Sequence, residues 1–178
     1  VTFLRENGLT MAAASYELSF QQLREIVENA VLPIEAVIHG SYESMICDYN
    51  FPAMSLPNYS DLSAPELLDI HYAFRDEADG VHPIRIDQYG RNHIYFAKDL
   101  CLYPYLEKFN GLGSYRIEAQ DYTAEQTAEI VSIYRAALDR LAAGGDGYRA
   151  ADFDRLKEVS PRPLGIGTYS FRQSRNSI

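Results

Sequence analysis

Glu35 and His39 stand four positions apart in the apolar stretch PIEAVIHG (33–40), and Arg116 and Glu118 stand two apart in SYRIEAQ (114–120). If each stretch is a strand, its period of two puts Glu35, Val37 and His39 on one face of the first, and Arg116 and Glu118 together on one face of the second. Carboxylates and an imidazole on an enclosed face are the groups of general acid–base chemistry, and an arginine among them positions charge. The same residues also have a purely structural use. Glu and Arg can neutralise each other inside a sheet and fix its register, and a histidine can sit satisfied in a core. Residue types alone leave both readings open.

The elements that must hold these groups alternate between strand and helix. Leu9 to Ser15 is a short apolar run that reads as a strand. Ser19 with Gln22 makes a capping box for a helix with Phe20, Leu23, Ile26, Val27 and Ala30 at helical spacing. The strand Pro33 to His39 follows after a short turn, giving a β-α-β unit and predicting parallel strands. From Ser41 to Leu62 periodicity fails. Pro52, Pro57, Asn58 and several serines mark a long irregular excursion of the kind that often carries function. Ser63 with Glu66 offers another cap, and PELLDIHYAF (65–74) reads as either a short helix or a strand-like connection.

In HPIRIDQYGRNHIYFA (82–97), Ile84 and Ile86 alternate with Arg85 and Asp87, and Ile94 and Phe96 with His93 and Tyr95, across a turn at 88–91. This predicts an inserted β-hairpin on which Arg85 and Asp87 either face substrate or form a solvated cross-strand pair. Asp99 is expected to cap a helix from Leu100 to Phe109, closed by Asn110 and Gly111. Thr123 with Gln126 caps a long helix with the stripe Thr127, Ile130, Val131, Tyr134, Leu138 and Leu141, ending at Gly144 and Gly145. A short helix over Asp152 to Val159 and an extended tail complete the chain. The expected division is a domain over 1–142 and an extension over 143–178.

With 178 residues, 47% hydrophobic and 12% aromatic, the chain can bury one core. A net charge of −9 argues against a broad phosphate-neutralising surface, so no DNA partner is expected, while a local basic groove stays compatible with RNA. No apolar run reaches about 18 residues, and VTFLRENGLT lacks a signal pattern, so no membrane partner and a cytoplasmic location are expected. Cys47 and Cys101 have no CxxC partner, so the chain alone builds neither a disulfide framework nor a four-cysteine metal site. Val1 in place of Met predicts that the sequence begins inside a longer product.

ELS (17–19), IEAVIHG (34–40), GRNHIYFAKDLCLYPYL (90–106), and YRIEAQ (115–120) followed by IVSIYRAALD (130–139) come in an order and spacing that resembles the C-terminal part of the peptidase U32 family, over roughly residues 1–140. The resemblance implies an α/β fold: the later strands and helices of a (β/α)8 TIM-type barrel carrying the inserted hairpin. A complete barrel takes about 250 residues, so the missing strands would come from an upstream N-terminal half or from a paralogous U32-like subunit. In such a barrel alternate strand residues point inward and the active site lies at the C-terminal strand ends. Glu35, His39, Arg116 and Glu118 would then share the interior as catalytic candidates, with His39 nearest the mouth and Gly40 turning the chain there. Glu17, at the same rim, joins Arg85 and Asp87 as substrate-binding candidates.

Proteolysis needs a nucleophile beside a base and an oxyanion site, or a zinc motif such as HExxH, and the sequence suggests neither. Better-understood members of the family resemble oxygen-independent hydroxylation proteins acting on RNA bases or a quinone precursor, several of them holding an iron–sulfur cluster through four cysteines. After its HG, this chain reads SYESMICDYNFPAM (41–54), with Cys47 as the one ligand candidate, and Gln120 stands where the family has Arg. A cluster is therefore expected only with upstream cysteines. The expected function is hydroxylation or a related modification of an RNA base or small aromatic molecule. The alternatives are a non-catalytic ligand-binding or scaffold barrel partnering another subunit, and a peptidase.

Overall fold

The computed structural model describes residues 2–56, 58–63 and 71–169. The chain divides into two compact units, one formed by 1–40 with 99–178 and the other by 41–98.

The first unit is built on β2 (Ile34–Gly40), buried along nearly its whole length, which is why its sequence is almost continuously apolar. One flank of β2 carries β8 (Ser114–Glu118) in parallel. The other carries β1 (Ala12–Ala13) in parallel at its start, then β7 (Asp99–Cys101) antiparallel at its end. β9 (Leu164–Gly165) adds to β7 in parallel. The β-α-β expectation holds: β1, α2 (Phe20–Asn29) and β2 follow in order with parallel strands, after the short α1 (Thr2–Glu6). Leu23, Ile34, Ile38, Leu100, Leu102, Ile130 and Leu156 form the core.

Both capping boxes are present. The Gln22 and Gln126 amides donate to Ser19 Oγ and Thr123 Oγ1, while the two glutamine side chains accept from the cap amides at 2.9 Å. The second box opens α4 (Ala124–Ala142), against which α5 (Ala150–Val159) packs. Gly40 has φ +111°, and a Cβ there would lie 2.0 Å from the Glu118 carbonyl oxygen, so the site requires glycine for the approach of β8 as well as for the turn.

The second unit is a four-stranded antiparallel sheet in the order β3-β6-β5-β4, from β3 (Glu43–Cys47), β4 (Tyr72–Arg75), β5 (Val81–Ile86) and β6 (Asn92–Tyr95), with a short α3 (Phe51–Ser55). The expected hairpin is β5 and β6. Asp87 Oδ1 accepts the Tyr89 and Arg91 amides across its turn, and Gly90 takes φ +77°.

Several expectations are corrected. Asp99 caps no helix. It begins β7, because Leu100, Cys101 and Leu102 are all buried and the Leu102 amide reaches the Ile38 carbonyl at 2.9 Å; a 3₁₀ helix starts only at Tyr103–Phe109. The excursion from Ser41 contains β3, an edge strand whose Ser44, Met45 and Ile46 are all exposed, so burial writes no period of two into it. The Ser63–Glu66 cap and residues 64–70 of PELLDIHYAF lie outside the described residues. The tail contributes β9, and among the described residues no closed barrel forms.

Candidate functional site

Parallel pairing of β2 with β8 sets Glu35 opposite Ser114 and Val37 opposite Arg116, so Glu35, Arg116 and Glu118 share a face. Arg116 Nη1 lies 3.3 Å from Glu35 Oε1, its other terminal nitrogen is ion-paired with Glu118, and Ser114 Oγ donates to Glu35 Oε2 at 3.1 Å. Burial pushes the Arg116 guanidinium down, but the hydrogen bonds and charges of Glu118 and Glu35 outweigh it and raise its pKa. The Arg116 side chain is 45% exposed, so this cluster of two anions and one cation faces accessible space. It can present carboxylate acceptors to N–H and O–H groups on a polar ligand.

His39 does not join that cluster. Between Val37 and His39 the register shifts: β2 advances two residues while β8 advances one, so His39 pairs with Ile117 and leaves the face of Glu35 and Arg116. Its ring is fully buried among hydroxyls. Nδ1 lies 3.1 Å from Tyr134 Oη, and Nε2 lies 3.3 Å from Tyr122 Oη and 3.4 Å from Ser160 Oγ. Tyr122 donates its own hydroxyl to Asp99 Oδ2 at 2.7 Å, so its oxygen is free to accept from His39 Nε2–H, and Tyr134 Oη, beside Nδ1, is also within 3.3 Å of the Ile38 carbonyl oxygen. Asp99, fully buried, is neutralised by Arg162 at 2.7 Å, and Arg162 also reaches Asp121 at 2.9 Å. Burial lowers the His39 pKa to about 3, so the ring is neutral at physiological pH. Burial likewise pushes the Tyr122 and Tyr134 hydroxyls and the Cys101 thiol up, the last 3.5 Å from Tyr134 Oη.

Sequence reasoning missed Tyr122, Tyr134 and Ser160 as the partners of His39, and Asp99 with Arg162 behind Tyr122. Tyr134 was legible only as part of an apolar helix stripe, and Asp99 as a cap. A faint signal existed in Arg162 within SPRP (160–163), a cation in an otherwise uncharged segment.

The remaining candidates are dispersed. Glu17 is exposed, and its amide donates to Ser15 Oγ. Arg85 and Asp87 belong to the second unit. There Arg85 lies 5.9 Å from the centre of the Tyr95 ring, and Asp87 is held by its own turn, by Arg91 and by His93. Cys47 is half-buried on β3. Among the described residues, no group of three or more His, Cys, Asp or Glu is arranged to hold a metal ion. Cys101 is already engaged with Tyr134. The residues present do not by themselves fit a four-cysteine cluster. Among the described residues no helix is long and apolar enough to cross a membrane.

Tested against known proteins, the chain matches no solved structure. It is similar to two proteins of Bacillus subtilis (strain 168). It is 27% identical over 177 residues to tRNA hydroxylation protein P2, covering 92% of this chain and 55% of that protein. It is 26% identical over 170 residues to tRNA hydroxylation protein P1, covering 83% of this chain and 36% of that protein. The chain thus spans about half or less of the length of these curated relatives. The family model of peptidase family U32 matches residues 1–177, practically the entire sequence, and the chain belongs to that family.

Proposed function

We propose that this chain is the C-terminal part of a tRNA hydroxylation protein, supplying later strands and helices of a (β/α)8 barrel whose other strands come from upstream sequence or a paralogous U32 subunit. The observation that carries this reading is the similarity to two tRNA hydroxylation proteins along most of the chain. The parallel order β1-β2-β8 supports the barrel, since β1 and β8 each have one partner strand among the described residues. Glu35, Arg116 and Glu118 line the substrate-facing side and hold the polar edge of an RNA base. His39 acts as a positioning residue that fixes the end of β2 from the opposite face. An iron–sulfur cluster would require cysteines from upstream sequence, and the protein works in the cytoplasm.

The test is nucleoside analysis of tRNA by mass spectrometry from a strain lacking the full-length gene. A hydroxylated nucleoside is expected to disappear, to return with the wild-type gene, and to stay absent with Arg116→Ala. An unchanged nucleoside profile in the deletion strain overturns the proposal and leaves the non-catalytic scaffold.

A further inference from the structure

His93, on β6 of the second unit, has a carboxylate at each ring nitrogen. Nδ1 lies 2.5 Å from Glu43 Oε1 and Nε2 lies 3.3 Å from Asp87 Oδ2. The two carboxylates come from different places: Glu43 begins β3, and Asp87 begins the hairpin turn. Asp87 is fixed where it is, accepting two turn amides on Oδ1 and the Arg91 guanidinium on Oδ2 at 2.6 Å. Arg85 is the register partner of His93 on β5. The charged groups that face the ring are thus Glu43 from β3, Asp87 and Arg91 from the turn, and Arg85 from β5.

A neutral imidazole carries one N–H and can serve only one of two carboxylates; the other then meets a nitrogen lone pair across the same short gap. The imidazolium serves both. The consequence falls on β3. Among the described residues this edge strand pairs only with β6, and its register shifts between Glu43 and Met45, so its first residue sits at a break in the ladder. Burial contributes little there, since Met45 is 57% and Ile46 54% exposed.

We propose that His93 is a pH-operated latch: protonated, it bridges Glu43 of the edge strand to Asp87 of the hairpin turn, and on losing its proton it can donate to only one of them, which breaks the bridge and loosens the bulged start of β3. Burial pushes the His93 ring down, but its hydrogen bonds to Glu43 and Asp87 outweigh this and raise its midpoint, so the latch opens at a higher pH than that at which an ordinary histidine releases its proton. The inference rests on the geometry of the second unit and stands whether or not the chain modifies tRNA.

The experiment is done on the full-length protein: the His93 ring is titrated by NMR, and amide exchange at 43–47, corrected for intrinsic pH dependence, is followed from about pH 6 to about pH 9. The His93 midpoint is expected above the ordinary histidine value, with protection at 43–47 falling about fivefold through the same titration while protection at 81–86 stays level. Glu43→Gln is expected to lower the midpoint and to make exchange at 43–47 independent of pH. A wild-type midpoint at or below the ordinary value, or flat protection through the titration, overturns the latch, and neither measurement depends on a variant folding.

Discussion

His39 and His93 each sit on a strand among apolar neighbours, one in each unit, and the protein uses them in opposite ways. His39 is fully buried with hydroxyl partners and stays neutral, its midpoint lowered to about 3. His93 is partly exposed with carboxylate partners, and its midpoint is raised. The lesson is that a polar residue in an apolar alternation announces no role by itself. Hydroxyls both give and take protons in hydrogen bonds, so they satisfy a neutral ring; paired carboxylates only accept, so they demand a cation.

The comparison breaks most readily at its buried end. Arg162→Ala leaves the fully buried Asp99 without its cation and is expected to destabilise the protein by about 4 kcal/mol, since removing one partner of a buried pair strands the other charge. Thermal unfolding checks this. A loss as small as that of a surface pair would mean that the His39 network is not closed to water.

The next effect is a pH dependence with a definite sign. The unfolded chain binds a proton at His39 near the ordinary value of 6.5, while the folded chain refuses it until about pH 3. Stability from the neutral ring is therefore complete above 6.5 and is lost as pH falls from there toward 3, by about 4–5 kcal/mol at the limit. Urea unfolding at several pH values, wild type against His39→Gln, isolates the term. Parallel curves for the two proteins would show that His39 takes up its proton as readily folded as unfolded. Tyr122→Phe, which removes one hydroxyl between His39 and Asp99, is expected to cost about 1–2 kcal/mol at neutral pH by the same assay.

What was legible in the sequence follows the range of the forces involved. Ser19 with Gln22 and Thr123 with Gln126 announce helix starts because both partners lie within one turn, and the Asp87–Gly90 turn announces its hairpin for the same reason. The partnership of Glu35 with Arg116 was readable from strand alternation once two strands were assumed to share an interior. The departure of His39 from that face was not readable, because it comes from a register shift between β2 and β8 just before Gly40, in a pairing of segments far apart in the chain. Asp99 misled for a local reason. An aspartate before an apolar run looks like a cap, and only the half-buried Arg162, 63 positions away, shows it to be a buried carboxylate inside a sheet.

The smallest effect sharpens the comparison from its exposed end. The folded chain keeps the His93 proton above 6.5, where the unfolded chain releases it, so the stability His93 adds is complete below 6.5 and is lost as pH rises through the folded midpoint, the reverse of His39. Its size is small, below about 1 kcal/mol, because solvent reaches all the partners. Salt separates the two ends further. The His93 pairs lie within reach of ions, so their contribution should fade between low and high ionic strength, while the acid loss at His39, where no charge is paired, should hardly move. Unfolding of His39→Gln and His93→Gln at both salt levels measures this directly. Equal salt sensitivity in the two variants would mean that burial, rather than the kind of partner, is the whole difference between the two histidines.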